Sequence, residues 1–84
     1  MKKIYKFWAD WCGPCKQLGQ VLESATDINA EIIPINVDED NEDLCGKFNI
    51  RNIPTLVMVD ENDNELKRLS GMVTLEKIKK EFEV

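Results

Sequence analysis

Short apolar runs alternate with segments of helical periodicity along this chain, and that alternation constrains the fold more than any other feature. Runs rich in β-branched and aromatic side chains, which are typical of buried strands, occupy residues 3–9, 31–37 and 53–59. The two segments between these runs, residues 14–27 and 40–48, carry apolar side chains at helical spacing. This pattern predicts helices packed on the faces of a mixed sheet.

The last third of the chain predicts a hairpin followed by a helix. Residues 60–64 contain only Asp, Glu and Asn, which favour a turn, and residues 65–69 then form the second strand of the hairpin. Thr74 is the predicted N-cap of a helix that runs to Val84. The predicted order is βαβαββα, an α/β fold whose central four-stranded mixed sheet is flanked by three helices.

A proline within the second predicted strand indicates where that strand lies in the sheet. Pro34 has no backbone N–H and cannot donate to a neighbouring strand on that side. We therefore expect residues 31–37 to form an edge of the sheet.

Size and charge exclude several classes of function. The chain has 84 residues, enough for one domain over residues 1–84. Its formal net charge of −5 argues against nucleic acids and anionic membranes as partners. No apolar run approaches the roughly 18–20 residues that cross a bilayer. Because Lys6 and Asp10 interrupt the apolar region that a signal peptide needs, we expect a cytoplasmic protein.

Two cysteines three positions apart, Cys12 and Cys15, allow three interpretations. A structural zinc site needs about four Cys or His ligands, whereas the chain has three cysteines and no histidine. A purely structural disulfide across two residues would restrain the unfolded chain little, and cytosolic proteins rarely keep stable disulfides. The third interpretation, a pair of reacting thiols, is the strongest.

The reactive interpretation has a physical basis at the start of the first predicted helix. Pro14 suits the first helical turn, so Cys12 lies where free backbone N–H groups and the helix dipole favour an anion. A thiolate there can attack a substrate disulfide, and Cys15 can then resolve the mixed disulfide. Gly13 keeps the approach to the sulfur open.

Two motifs together resemble the thioredoxin family. Residues 7–16, FWADWCGPCK, are followed further along the chain by residues 50–55, IRNIPT. The resemblance covers nearly the whole chain, and it implies a thioredoxin fold and a reductase of protein disulfides. It also implies that Cys12 is the nucleophile, that Cys15 is the resolving thiol, and that no metal or organic cofactor is used.

The resemblance implies further site residues and partners. Gly13, Pro14, Trp11 and Pro54 would support the reacting pair, with a cis peptide bond between Ile53 and Pro54. An apolar docking surface for disulfide-containing proteins would consist of Trp11, Ile53, Gly71, Met72 and Val73. Electrons would come from a thioredoxin reductase-like enzyme or a low-molecular-weight thiol, and we expect a monomer.

The sequence departs from the family pattern at several positions. Only seven residues precede Trp8, so we expect a truncated thioredoxin fold that lacks the usual first strand and helix. Lys6 stands where the family usually has a buried aspartate, and Pro34 stands where it has a lysine. Gln20 replaces a proline that often kinks the first helix, so we expect a straighter helix.

Lys6 and Cys45 lie outside the family pattern and leave alternatives open. Lys6 shares a strand face with Ile4 and Trp8 and therefore points beneath the reacting pair. Either its stem reaches solvent, or its amine stays near Cys15 and stabilises a thiolate. Cys45 is predicted to be a buried helix residue without a redox role.

Two alternative functions remain open at this point. One is a glutaredoxin-like reductase coupled to glutathione, because the short fold is similar to that family's core. The other is a non-catalytic binding subunit with a thioredoxin fold, which would use the apolar surface around Trp11 and Met72. We expect Trp8 to be a core residue and Trp11 to be partly exposed.

Overall fold

Strands and helices alternate in the predicted order in this computed structural model, which describes residues 2–25, 27–40 and 42–84. The elements are β1 (Lys3–Trp8), α1 (Gly13–Ser24), β2 (Glu31–Asn36), a 3-10 helix (Val37–Glu39), α2 (Leu44–Lys47), β3 (Thr55–Val59), β4 (Glu65–Ser70) and α3 (Leu75–Phe82). The predicted α/β fold of order βαβαββα is confirmed.

The four described strands form one mixed sheet in the order β2-β1-β3-β4. β1 is parallel to β2 and antiparallel to β3, and β3 and β4 form the antiparallel hairpin. Pro34 lies opposite Lys6 in the β1–β2 register and is exposed. Within the described sheet β2 pairs only with β1, so the predicted edge position is confirmed.

Alternation along β1 divides the core between the two faces of the sheet. Ile4 packs on one face with α1 and α3, in a cluster that includes Leu18, Leu22, Ile78 and Phe82. Tyr5 and Phe7 point to the other face and pack against Phe48, which follows α2. Because both faces of β1 are covered, the central strand is a rigid base for the residues that follow it.

Several element boundaries differ from the predicted ones. The predicted helix 40–48 is helical only over Leu44–Lys47, because the Asp40 carboxylate accepts the N–H groups of Leu44 and Cys45 at 2.9 and 2.7 Å. Such side-chain bonds compete with helical ones. The strand predicted from residue 53 starts at Thr55, after a proline that has no N–H to donate.

The helix ends show which caps were predictable. Thr74 is the N-cap of α3, and its hydroxyl accepts the Lys77 N–H at 3.1 Å, as predicted. α1 ends at Ser24, whereas its predicted end at residues 26–27 falls partly on Thr26, outside the described residues. No helix in the described ranges is long and apolar enough to cross a membrane.

Candidate active site

The reacting pair lies where two parallel strands end side by side. β1 ends at Trp8 and β2 ends at Asn36, and these two residues are partners in the register. The chain segments that follow parallel neighbours leave the same edge of the sheet. The loop before α1 and the 3-10 helix after β2 are therefore neighbours, and both contribute to the site.

Cys12 and Cys15 form a disulfide at the start of α1, with Cα atoms 5.3 Å apart. Cys12 is the N-cap residue, and its sulfur accepts the backbone N–H of Cys15 at 3.2 Å. A sulfur in this position is the one that the helix N-terminus stabilises as a thiolate. Cys15 lies within the helix and is the more buried of the two, at 2% exposure against 6%.

The two residues between the cysteines leave the disulfide approachable from solvent. Gly13 and Pro14 are both exposed, and Pro14 occupies the first helical turn. A Cβ atom at Gly13 would meet nothing within 4 Å. A substrate can therefore approach this side without displacing protein atoms.

The Ile53-Pro54 segment borders the disulfide and directly precedes β3, whose first residue, Thr55, pairs with Phe7 near the end of β1. The peptide bond between the two residues is cis, as predicted, and Pro54 is buried. Ile53 packs against the cluster formed by Ala9, Cys12 and Cys15. The Gly71 N–H donates to the Pro54 carbonyl at 2.8 Å, so the loop after β4 is attached to the same segment.

An apolar groove about 530 Å³ in volume lies beside the disulfide, and we call it the Trp11 groove. It is lined by Trp11, Val37, Cys45, Ile50, Arg51, Asn52 and Ile53. Trp11 is 70% exposed, as its position beside Cys12 predicted. Its indole Nε1 donates to the Asp38 carboxylate at 2.9 Å. This hydrogen bond holds the exposed Trp11 ring, which forms one wall of the groove, in a defined orientation.

The predicted docking residues have different surroundings. Trp11 and Ile53 line the Trp11 groove, and the exposed Met72 borders a depression with Val21 and Leu75. Gly71 has a φ of 81°, which favours glycine, and Val73 packs against the core cluster of α1 and α3. Their joint role as a docking surface stays a prediction.

Cys45 is less buried than predicted. It does lie on α2, but it is half-buried and forms part of the Trp11 groove. The reason is that α2 is only one turn long and cannot cover the thiol fully. Burial, helped by a hydrogen bond with Asp40, raises the pKa of the Cys45 thiol to about 11.

A second groove, which we call the Lys6 groove, reaches Cys15 from behind and has a volume of about 380 Å³. It is lined by Lys6, Trp8, Cys15, Lys16, Gly19, Gln20, Glu23 and Pro34. Lys6 is half-buried, and its Nζ lies 6.0 Å from the centre of the Trp8 ring. Trp8 is half-buried and packs against the cysteine cluster, which fits its predicted core position only in part.

Sequence reasoning missed Asp38 and Gly19. Asp38 had no predicted role, yet its carboxylate accepts the Trp11 indole N–H. The available signal was the parallel pairing of β1 and β2, which brings the residues after both strands together. Gly19 had no distinguishing pattern, since its importance lies in the space that it leaves for Lys6.

Metal ligands are not grouped in the part of the chain that the structure describes. No set of three or more His, Cys, Asp or Glu side chains there is placed to hold a metal ion.

Comparison with known proteins adds to this geometry. A family model described as Thioredoxin matches residues 2–83. The chain belongs to the thioredoxin family. A thioredoxin from Mycoplasma genitalium is 42% identical over 77 residues, which cover 89% of this chain and 74% of that protein. A thioredoxin from Bacillus subtilis is 40% identical over 60 residues, which cover 68% and 57% respectively.

Solved thioredoxin structures share the fold over almost the entire chain. A mutant thioredoxin from Halobacterium salinarum superposes with a TM-score of 0.85 at 31% identity, covering 98% of this chain and 72% of that one. The germline-specific thioredoxin Deadhead from Drosophila melanogaster gives a TM-score of 0.81 at 26% identity, covering 99% and 80%.

This chain matches only part of the length of its curated relatives. The matched region spans from 44% to 74% of those proteins. Membership of the thioredoxin family rests on the family-model match over residues 2–83 and on the shared fold.

Proposed function

We propose that this thioredoxin-family protein is a thiol–disulfide oxidoreductase that reduces protein disulfides, with residues 1–84 acting as one thioredoxin-like domain. The observation that carries the proposal is the Cys12–Cys15 disulfide at the N-terminus of α1, in which the Cys12 sulfur also accepts a hydrogen bond from the Cys15 N–H. A redox pair on a family scaffold needs no further cofactor.

The first step uses the thiolate of Cys12 in the reduced protein. Its sulfur attacks one sulfur of a substrate disulfide, forms a mixed disulfide and releases the other substrate sulfur as a thiolate. The Cys15 N–H and the dipole of α1 stabilise the negative charge before the attack. Cys12 is suited to this role because it precedes the helix, whereas Cys15 lies inside it.

The second step is intramolecular and releases the substrate. The thiol of Cys15 loses its proton, and its sulfur attacks the Cys12 sulfur of the mixed disulfide. The second substrate sulfur leaves as a thiolate, so two electrons have passed from the protein dithiol to the substrate. A reductase or a low-molecular-weight thiol then supplies two electrons that restore the dithiol.

Substrate docking is assigned to the surfaces beside the disulfide. Trp11 and Ile53 would receive the substrate segment, and Gly71, Met72 and Val73 would extend the contact. Gly13, Pro14 and Pro54 would support the reacting pair through the shape of the backbone. Exposed apolar side chains beside a redox centre suit a protein substrate, because they gain buried area on contact. We further infer a monomeric protein acting in the reducing cytoplasm.

The proposal is tested by reduction of insulin disulfides with dithiothreitol as the electron source. We expect Cys12→Ser to abolish turnover and Cys15→Ser to accumulate a mixed disulfide that mass spectrometry detects. Retained turnover in Cys12→Ser would show that the nucleophile is assigned wrongly. Folding of each variant is checked by circular dichroism, so that loss of activity is not loss of structure.

The electron source distinguishes the family role from its alternatives. Turnover with NADPH and a flavoprotein thioredoxin reductase is expected, and turnover with glutathione alone would indicate a glutaredoxin-like protein. Tight binding of disulfide proteins without turnover would instead indicate a non-catalytic binding subunit.

A further inference from the structure

The Lys6 amine lies close to α1 at Gly19, a position without a side chain. A Cβ atom built on Gly19 would lie 3.1 Å from Lys6 Nζ, which is tighter than an ordinary contact. Glycine therefore leaves the space that the amine uses. Gly19 lies one turn after Cys15 on the same helix, and Cβ positions four residues apart are about 5–6 Å apart.

These two distances place a cation close to the resolving cysteine. The amine can be at most about 9 Å from the Cys15 Cβ, by adding the contact distance to the helical spacing. Lys6 and Cys15 also line the same groove. The half-buried Trp8 ring lies 6.0 Å from the amine and supports it from β1.

We propose that Lys6 is a positioning residue for the resolving step, whose ammonium stabilises the thiolate of Cys15 from behind. It acts through Cys15 and makes no contact with the substrate. The inference rests on the function proposed above, since the thiolate matters only if Cys15 resolves a mixed disulfide.

The expected size of the effect follows from the distance. The sulfur lies one bond beyond the Cβ atom, so the two unit charges are about 10 Å apart, and at an effective dielectric constant of about 20 they change a proton-dissociation constant about tenfold after some screening by solvent. The ammonium therefore increases the thiolate fraction of Cys15 about tenfold wherever most of the thiol is protonated. It also favours the reduced protein over the disulfide, which makes the protein a stronger oxidant.

Other charges border the same groove and must be separated from Lys6. Lys16 is exposed and follows Cys15 in sequence, and the exposed Glu23 lies one turn beyond Gly19. Glu23 opposes the effect of the two lysines. Cys12 faces Cys15 from the other side, and its sulfur carries the negative charge in the fully reduced protein. Lys6 differs from Lys16 because Lys6 is half-buried, whereas Lys16 is exposed and more fully screened by water.

In the reaction, Lys6 contributes at the second step. The Cys15 thiol releases its proton to solvent or to the substrate thiolate released earlier, and the ammonium holds the remaining negative charge near the sulfur. The thiolate then attacks the Cys12 sulfur of the mixed disulfide, and the substrate sulfur leaves with the electron pair of the broken bond.

The first test measures ionisation of Cys15 alone. Cys12→Ser with Cys45→Ala leaves Cys15 as the single thiol of the three cysteines. In that background, ultraviolet thiolate absorbance is followed against pH with Lys6 present and with Lys6→Met, which keeps much of the stem but removes the charge. We expect about a tenfold lower thiolate fraction in Lys6→Met at the same pH.

A second variant crowds the amine without removing its charge. Gly19→Ala adds a methyl group 3.1 Å from Lys6 Nζ, and alanine is favoured over glycine within a helix. Because the flexible end of Lys6 needs to move by only a few tenths of an ångström, we expect a folded protein whose Cys15 thiolate fraction changes less than about twofold. Lys16→Met is the matched control, because it removes the same charge from an exposed side chain, and we expect less than about a twofold change.

The reduction potential provides an independent readout in the protein with all three cysteines. Equilibration with mixtures of reduced and oxidised glutathione should show Lys6→Met to be the stronger reductant. An unchanged Cys15 titration in Lys6→Met, or an equal shift in Lys16→Met, would overturn the role of Lys6. None of these outcomes depends on insulin reduction, so failure of the proposed function is detected separately.

Discussion

Cys45 shows how burial of a single residue controls reactivity. The thiol is half-buried in the Trp11 groove, and burial raises its pKa from 9.0 to about 11. Because the neutral thiol is favoured in the folded state, the resulting stabilisation is complete below about pH 9 and is lost as the pH rises towards 11.

We expect Cys45 in the folded, oxidised protein to react with iodoacetamide about 100-fold more slowly near pH 7 than a cysteine with the ordinary pKa of 9.0, since each pKa unit lowers the thiolate fraction tenfold. Mass spectrometry of the alkylated protein provides the rate. The same protein in urea is the control and should react at the ordinary rate. Equal rates in the folded and unfolded protein would contradict this prediction.

Residue roles were predictable where a motif or a neighbour in sequence defined them. The exposure of Trp11 follows from its position beside Cys12, and the cis bond before Pro54 follows from the family motif. The partial exposure of Cys45 did not follow, because helical spacing alone implies a longer helix than the one observed. The space at Gly19 depends on contacts across two elements, which no local pattern contains.

At the scale of elements, the 3-10 helix after β2 orients the groove beside the disulfide. Asp38 lies in this helix, and its carboxylate accepts the Trp11 indole N–H at 2.9 Å across the gap between two loops. The bond is exposed, so it contributes little to stability. Its effect is to hold an exposed aromatic side chain in one orientation before a substrate arrives.

We expect Asp38→Ala to lower the free energy of unfolding by less than about 1 kcal/mol but to raise the KM for insulin more than it changes kcat. Time-resolved fluorescence anisotropy in a Trp8→Phe background, where Trp11 is the remaining tryptophan, should show faster indole motion. Glu39→Ala removes an exposed acid from the same 3-10 helix and is the matched control. Unchanged indole motion in Asp38→Ala would disprove the orienting role.

Element order was predictable from periodicity, whereas element ends were set by side-chain bonds. Pro34 indicated an edge strand because a residue without a backbone N–H cannot donate a hydrogen bond to a neighbouring strand, whatever the sheet. The start of α2 was not predictable, since the Asp40 carboxylate accepts the N–H groups of Leu44 and Cys45, which would otherwise bond to backbone carbonyls in a longer helix. Asp43 then precedes the helix with a φ of 53°, which ordinary helical spacing does not indicate.

At the scale of the whole molecule, one carboxylate joins three parts of the fold on the side away from the disulfide. Asp63 in the β3–β4 turn accepts the Tyr5 hydroxyl at 3.1 Å and pairs with Lys3 at 3.1 Å and Lys47 at 3.9 Å. The hydrogen bond from Lys3 is the main reason that the pKa of Asp63 is lowered. The stabilisation is therefore present above the unfolded pKa of about 4 and is lost as the pH falls through the folded value.

We expect Asp63→Asn to lower the free energy of unfolding by about 1 kcal/mol near pH 7. The variant should also lose stability less steeply below about pH 4. Asparagine tolerates the φ of 62° at this position, so the backbone should not change. Urea unfolding at neutral and acid pH measures both effects. Glu61→Gln, an exposed change in the same turn, controls for the loss of one charge, and an acid dependence identical to that of the unmutated protein would contradict the role of Asp63.

The close approach of the Lys6 amine to Gly19 also bears on how the two positions can vary among relatives. The contact involves the end of a flexible side chain, so a methyl group at position 19 requires the amine to move by only a few tenths of an ångström. A larger side chain at position 19 would occupy more of the space beside the amine. Relatives with a large residue at position 19 should therefore carry a shorter residue at position 6.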